Sequence, residues 1–291
     1  MNKTETNDGE SLRPIRGELG IDSDRPALFA QELETYYGKP PSDIGPWEQE
    51  LHRLREQHAD DSEFRHKARG YAFMADHCPV HVFRHGPFFF ELNTGRDRTD
   101  LGTGGLGGWL KRSPFGTALH ASSCEWLAPC GQSGLSIGWA VLDDNHHTVS
   151  YEKVLRVGLR GVIAEAEREL ARASTEAERD FLEAAIAGNQ ALIRIAERFA
   201  AEAGRLAAAE LDPVVRARLQ RVAAAARRVP AEPAGSFYEA LCVILFLFHV
   251  LPSVEGNGLS VFGHVDRLLG TFYDRDLAEG RLTPEEAAEL I

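Results

Sequence analysis

The chain has 291 residues, 43% apolar and 26% charged, with a formal net charge of -12, ordinary for a soluble globular protein of one large domain or two small ones. Its 44 Asp and Glu against 32 Lys and Arg argue against a nucleic-acid surface, because phosphate binding needs clustered basic side chains. Four irregularly spaced cysteines make no disulfide framework, and the polar N-terminus has no apolar signal core, so cytoplasm is the expected compartment.

In chain order, residues 1–23 are polar and read as a disordered tail. Pro26 to Gly38 is a short predicted helix, broken by Pro40 and Pro41. Trp47 to Met74 reads as helical, with Trp47, Leu51, Leu54, Phe64 and Ala68 as its buried positions. Residues 77–139 lose helical periodicity and fill with glycine, proline and aromatics; Val80, Val82 and Phe88 to Phe90 read there as short strands. Residues 150–291 are predicted helical. Tyr151, Val154, Leu155, Gly158, Leu159, Val162, Ile163, Ala166 and Leu170 share one helical face. A second helix, about Thr175 to Leu206, buries Phe181, Leu182, Ala185, Ile186, Ile193, Ala196, Phe199 and Ala203 in the same way.

Asp212 and Pro213 open a third helix, and its arginines from Arg216 to Arg228 read as a solvated face. Ser236 and Glu239 form a capping box ahead of a fourth helix, apolar around its circumference and hence central. Its apolar run, Leu241 to Leu251, is too short to cross a bilayer. Thr283, Pro284 and Glu286 begin a last helix with an N-cap, a proline at the first position and a carboxylate at the third. The chain stops at Ile291, about two turns later, and so short a helix is marginal alone.

Signals of chemistry are sparse. Gly102, Gly104 and Gly107 have dinucleotide-type spacing, but GWLKRSPFG follows in place of an apolar helix, so they read as a conformationally demanding loop. His120, Cys124 and Cys130 lack the tight spacing of structural zinc ligands. Asp143, Asp144, His146 and His147 are residues that caps and turns use as readily as metals do. No metal site and no catalytic residue is assigned. Gly131 to Gly134 is one residue wrong for a nucleophile elbow. His249 reads as a hydrogen-bonded core histidine, Cys242 as a small buried hydrophobe and Gly158 as a packing glycine. After the apolar helix, Glu255, Asn257, Ser260, Gly263 and His264 make a polar, glycine-rich segment. It is the candidate wall of a substrate pocket, with a plain turn and cap as the alternative.

Several segments resemble the pyruvate formate-lyase branch of the glycyl radical enzymes: PAGSFYEAL, EGNGLSVFGHVDRLL and YDRDLAEGRLTPEEAAELI, preceded by GPFFFELNTGRDRTDLGTGGLGGWL and DDNHHTVSYEKVLRVGLRGVIAEAEREL. They run from Gly86 to Ile291 in the family's order. The resemblance implies an α-rich α/β fold, the N-terminal, mainly helical portion of a ten-stranded α/β barrel, in a usually dimeric protein. It also implies chemistry on a small substrate: radical cleavage of a C–C, C–O or C–N bond, or acyl transfer. The family's glycyl radical is installed by a radical SAM activating enzyme and oxidises an active-site cysteine to a thiyl radical.

That cysteine, commonly followed by valine, comes well after the EGNGLSVFG segment, whereas Cys242-Val243 precedes it. Arg156-Val157-Gly158 lacks the aromatic that follows the radical glycine. The expectation is therefore a truncated domain over residues 24–291, holding neither radical residue, binding no cofactor and inactive alone. His264 stands where family members carry an arginine, and it lacks the fixed fork and permanent charge of a guanidinium. The expected partners are a missing C-terminal half or complementing chain, a second copy in a homodimer and, in a complete assembly, a small-molecule substrate; nucleic acid and membrane are not expected. The alternative is a non-catalytic helical binding or assembly protein that keeps the family core.

Overall fold

The computed structural model describes residues 24–95, 105–111, 149–256 and 261–291. In order, these form α1 (Arg25–Tyr37), α2 (Gly45–Gln57), α3 (Glu63–His77), β1 (Val80–His81), β2 (Glu91–Leu92), α4 (Gly105–Lys111), α5 (Tyr151–Leu170), α6 (Glu176–Ala209), α7 (Pro213–Arg228), α8 (Phe237–Glu255), α9 (Val265–Ala278) and α10 (Pro284–Leu290). The two short strands pair antiparallel, Val80 opposite Leu92 and His81 opposite Glu91.

The 34-residue α6 is the spine, bordered by α3, α5 and α7. Thr175 and Glu178 start it with a reciprocal capping box. It carries a buried stripe of Ala191, Ile195, Phe199, Ala203 and Ala207 and borders α7, whose buried residues include Ala223 and Ala226. Small side chains on both helices let the backbones approach closely. The apolar α8 contacts α4, α5, α9 and β2, and Cys242, Val243, Phe246 and Val250 are completely enclosed.

Local structure departs from the sequence pattern where a cap or a glycine intervenes. Residues 47–74 form two helices, not one. Ser62 accepts the Arg65 N–H and opens α3 afresh, so the face is rephased: Leu51 is buried, whereas Phe64 is 40% exposed. Phe181 is likewise exposed rather than buried. Phe88 to Phe90 are not a strand; they are buried on the helices, with the Phe89 ring 5.8 Å from Phe199 and 5.6 Å from Phe246.

Gly158 breaks α5 with φ 66° and ψ 171°. The freed amides of Leu159 and Arg160 donate to the Pro230 and Ala231 carbonyls at 2.8 and 3.0 Å. A Cβ at Gly158 would lie 2.4 Å from the Ala231 oxygen. It is a packing glycine, as its sequence suggests, but one set at a kink.

Ser236 caps α8 by accepting the Glu239 N–H, yet the Glu239 carboxylate turns to the Gly235 N–H at 2.6 Å, so only half of the expected box forms. The helix also runs past Leu251 to Glu255, through Pro252. At 19 residues and mean hydropathy 1.9 it is long and apolar enough for a membrane span, contrary to the shorter run expected. Two-thirds of that window (67%) is buried within the protein, as befits a core helix.

The short α10 is anchored rather than isolated. Thr283 and Glu286 complete a capping box, Ala287 is buried, and the Arg25 Nε donates to the Glu289 carboxylate at 2.9 Å. Arg25 itself is only 8% exposed, so α1 and α10 are joined through an ion pair shielded on one side.

Candidate functional site

Glu255 closes α8, and Gly256 caps it in the left-handed conformation, φ 63°. Only glycine adopts this without strain. The backbone of α4 lies directly against that cap: a Cβ at Gly107 would sit 2.6 Å from the Gly256 nitrogen. Gly107 thus lies within the helix α4 and not in the loop expected there, and close backbone approach explains the glycine; Gly102 and Gly104 lie outside the described residues.

The Glu255 carboxylate is held from α3. Lys67 Nζ is 3.1 Å away, and the Tyr71 hydroxyl donates to the other oxygen. Lys67 and Tyr71 are one turn apart and so share a helix face. Burial, and then the Glu255 charge, push the Tyr71 hydroxyl far above its ordinary pKa, which keeps it a donor.

Beside this polar end lies a cavity of about 380 Å³, walled by Val154, Leu159, Leu192, Leu247, Leu251 and Val254. Asn189 also lines it and donates its Nδ2 to the Ala185 carbonyl at 2.8 Å. Phe64 and Phe181 stand at the edge-to-face distance of 5.5 Å and contribute to the lining. Their shared contact accounts for two exposed aromatic rings on otherwise polar helix faces.

The other candidate wall residues do not join this arrangement. Gly263 has φ 70°, and a Cβ added there would meet no atom within 4 Å. His264 occupies the N-cap of α9 without making a cap bond, 71% exposed, with Nδ1 3.8 Å from Asp266. Neither lines the Glu255 cavity. Asn257 and Ser260 lie outside the described residues. Lys67 and Tyr71 carry no signal of their role in the sequence, since they reach Glu255 across 188 and 184 residues.

His249 is half-buried, its ring 4.7 Å from Phe90, and its carbonyl accepts the Ser253 hydroxyl at 2.9 Å. Cys242 is fully enclosed, and burial raises its thiol pKa strongly. Burial likewise pushes Cys78 up to about 12. Both are protonated, unreactive thiols. Among the described residues no three His, Cys, Asp or Glu side chains converge on a common point. His120, Cys124, Cys130, the Gly131 to Gly134 run, Asp143, Asp144, His146 and His147 lie outside those residues.

Comparison with known proteins bears on this architecture directly. The family model described as pyruvate formate lyase-like matches residues 129–291. An isethionate sulfite-lyase from Oleidesulfovibrio alaskensis is 39% identical over 149 residues, 48% of this chain and 18% of that protein. A trans-4-hydroxy-L-proline dehydratase from Clostridioides difficile is 26% identical over 191 residues, 63% of this chain and 24% of that protein. The chain thus spans a minor share of the length of these relatives.

Two solved structures share the fold. One, concerned with 1,2-propanediol dehydration in Roseburia inulinivorans, has a TM-score of 0.71 at 21% identity, covering 92% of this chain and 36% of its own. The other, a glycyl radical enzyme from Archaeoglobus fulgidus, has a TM-score of 0.66 at 18% identity, covering 92% and 39%. The fold is therefore the mainly helical portion of a glycyl radical enzyme barrel, and with more than half its residues inside the family model the chain belongs to the pyruvate formate lyase-like family.

Proposed function

We propose that the chain is one part of a glycyl radical enzyme of the lyase and dehydratase type, acting on a small substrate, and that these 291 residues do not turn over alone. The observation that carries the reading is the 39% identity to an isethionate sulfite-lyase over a stretch that is only 18% of that protein. The enclosure of Cys242 supports the second half. A thiol inside an apolar helix, away from any described cavity wall, has no path to a substrate.

In this reading the glycyl radical, carried on a segment outside this chain and installed by a radical SAM enzyme, supplies hydrogen-atom abstraction through a cysteine. The residues present here enclose and position. Lys67 and Tyr71 fix Glu255, and the Gly107–Gly256 contact fixes the turn beyond it. Together they hold the C-terminal end of α8, where the candidate wall residue Glu255 stands. Exclusion of water by such walls protects reactive intermediates. The rest of the barrel, as a missing C-terminal half or a complementing chain, is the partner, the whole assembling as a dimer in the cytoplasm.

The DNA that follows the Ile291 codon tests this. A continuing or neighbouring frame encoding a Cys-Val loop and a terminal glycine loop is expected. Its product, combined anaerobically with this chain and an activating enzyme, restores substrate cleavage. A stop with no complementing frame, or turnover by these 291 residues alone, contradicts the proposal.

A further inference from the structure

We infer that the cavity between α3, α5, α6 and α8 is a binding site for a small neutral aromatic molecule bearing one hydroxyl, that is, a phenol. Its volume of about 380 Å³ falls within the range of small-molecule sites, which are mainly apolar with a few convergent polar groups. The walls meet that description. Val154, Leu192, Leu247, Leu251 and Val254 line the space, and so does the Lys67–Glu255 pair, its charged atoms 3.1 Å apart.

The donor and acceptor inventory selects the head group. The Lys67 ammonium has three N–H donors and spends one on Glu255, leaving donors free. The adjoining Glu255 carboxylate takes one bond from Lys67 and one from Tyr71, and its remaining lone pairs can accept another. A group that both accepts and donates satisfies the two together, which describes a hydroxyl.

Charge selects against the alternatives. Lys67 and Glu255 already neutralise each other at 3.1 Å. An anionic head would meet the Glu255 carboxylate and a cationic head the Lys67 ammonium, and each would have to break that pair while losing its own hydration. The exposed Phe64 and Phe181 rings offer faces and edges to an aromatic body. Gly188 makes room for the Tyr71 ring in the same wall: a Cβ there would lie 3.3 Å from it. This ligand site stands independently of whether the chain contributes to a radical lyase.

Titration of the 291-residue chain with phenol, toluene, benzoate and benzylamine, followed by methyl NMR, tests the inference. Phenol should bind saturably at one site and shift the Leu192, Leu247 and Leu251 methyl signals. Toluene should bind about tenfold more weakly, the loss of one well-placed hydrogen bond, and benzoate and benzylamine should not saturate. Leu251→Trp should abolish phenol binding by filling the space, and Lys67→Met should reduce phenol to the level of toluene while both variants keep the parent helical spectrum. Should Leu251→Trp not fold, the methyl shifts and Lys67→Met decide. Absence of saturable phenol binding, binding that leaves those methyls unmoved, or benzoate binding as tightly as phenol would overturn it.

Discussion

The carboxylate of Asp276 accepts the backbone N–H of Phe237 at 2.7 Å, tying the last turn of α9 to the first turn of α8. Asp276 is 3% exposed and also takes the Arg281 guanidinium at 2.7 Å. Burial alone would raise its pKa, but Arg281 and the Phe237 amide outweigh burial and hold the carboxyl below its usual range. A first-turn N–H has no partner within its own helix; here a distant carboxylate supplies one. Replacing Asp276 by Ala leaves a buried amide unpaired and should cost about 3 kcal/mol in urea unfolding, with Asn costing less. An unchanged midpoint for Asp276→Ala would show the contact to be idle.

Gly158 is the second structural test. Its positive φ and the 2.4 Å approach of the Ala231 oxygen leave no space for a methyl. Gly158→Ala should therefore destabilise by at least about 2 kcal/mol, from backbone strain plus overlap. Gly270, within α9 and with nothing near a Cβ, is the matching control. Gly270→Ala should stabilise by about 0.5–1 kcal/mol through helix propensity. Equal melting shifts for the two substitutions would refute the kink at Gly158.

Stability should fall in two stages as pH drops. Burial holds His66 and His81 below their ordinary pKa of 6.5, so below about 6.5 the unfolded chain binds more protons than the folded one. The His contribution is complete above that value and is lost as pH falls from it toward the folded pKa. Asp276 is depressed as well, by Arg281 and the Phe237 amide and from a lower ordinary value, so its contribution holds above about 3.9 and is lost below, through its folded pKa. Urea midpoints measured from neutral to acid pH should show both declines. His81→Phe, which keeps a ring against Tyr36, should shrink the first decline and leave the second.

The two described cysteines should be silent in the native state. Both are completely enclosed with raised pKa values, so in a Cys124→Ser, Cys130→Ser background no thiol should react with a disulfide reagent until urea is added. Native-state labelling of Cys242 would contradict its place in the core.

Helix starts are readable wherever the cap is local: Thr283 with Glu286, Asp212 with Pro213, and Thr175 with Glu178 each act within one turn. The family, too, is carried by contiguous segments. What stays hidden depends on distance along the chain. The kink at Gly158 keeps Leu155 and Leu159 buried, so the helical periodicity survives a break that only the 229–234 segment reveals. Phe64 and Phe181 fit an apolar pattern but pack on each other at the surface. The Glu255 site needs Lys67 and Tyr71 from a helix almost two hundred positions earlier, and no spacing rule joins them. Of the candidate wall, Glu255 stands at the mouth of an apolar cavity, while His264 turns to solvent at a helix start.

If this chain belongs to a radical enzyme whose radical residues lie elsewhere, it cannot hold the radical by itself. Low-temperature electron paramagnetic resonance of the 291-residue chain, after anaerobic incubation with a radical SAM activating enzyme, puts that to the test. We expect no glycyl radical signal from these residues alone and a signal once the rest of the barrel, as a C-terminal continuation or a complementing chain, is present. A glycyl radical formed on these 291 residues by themselves would refute the assignment.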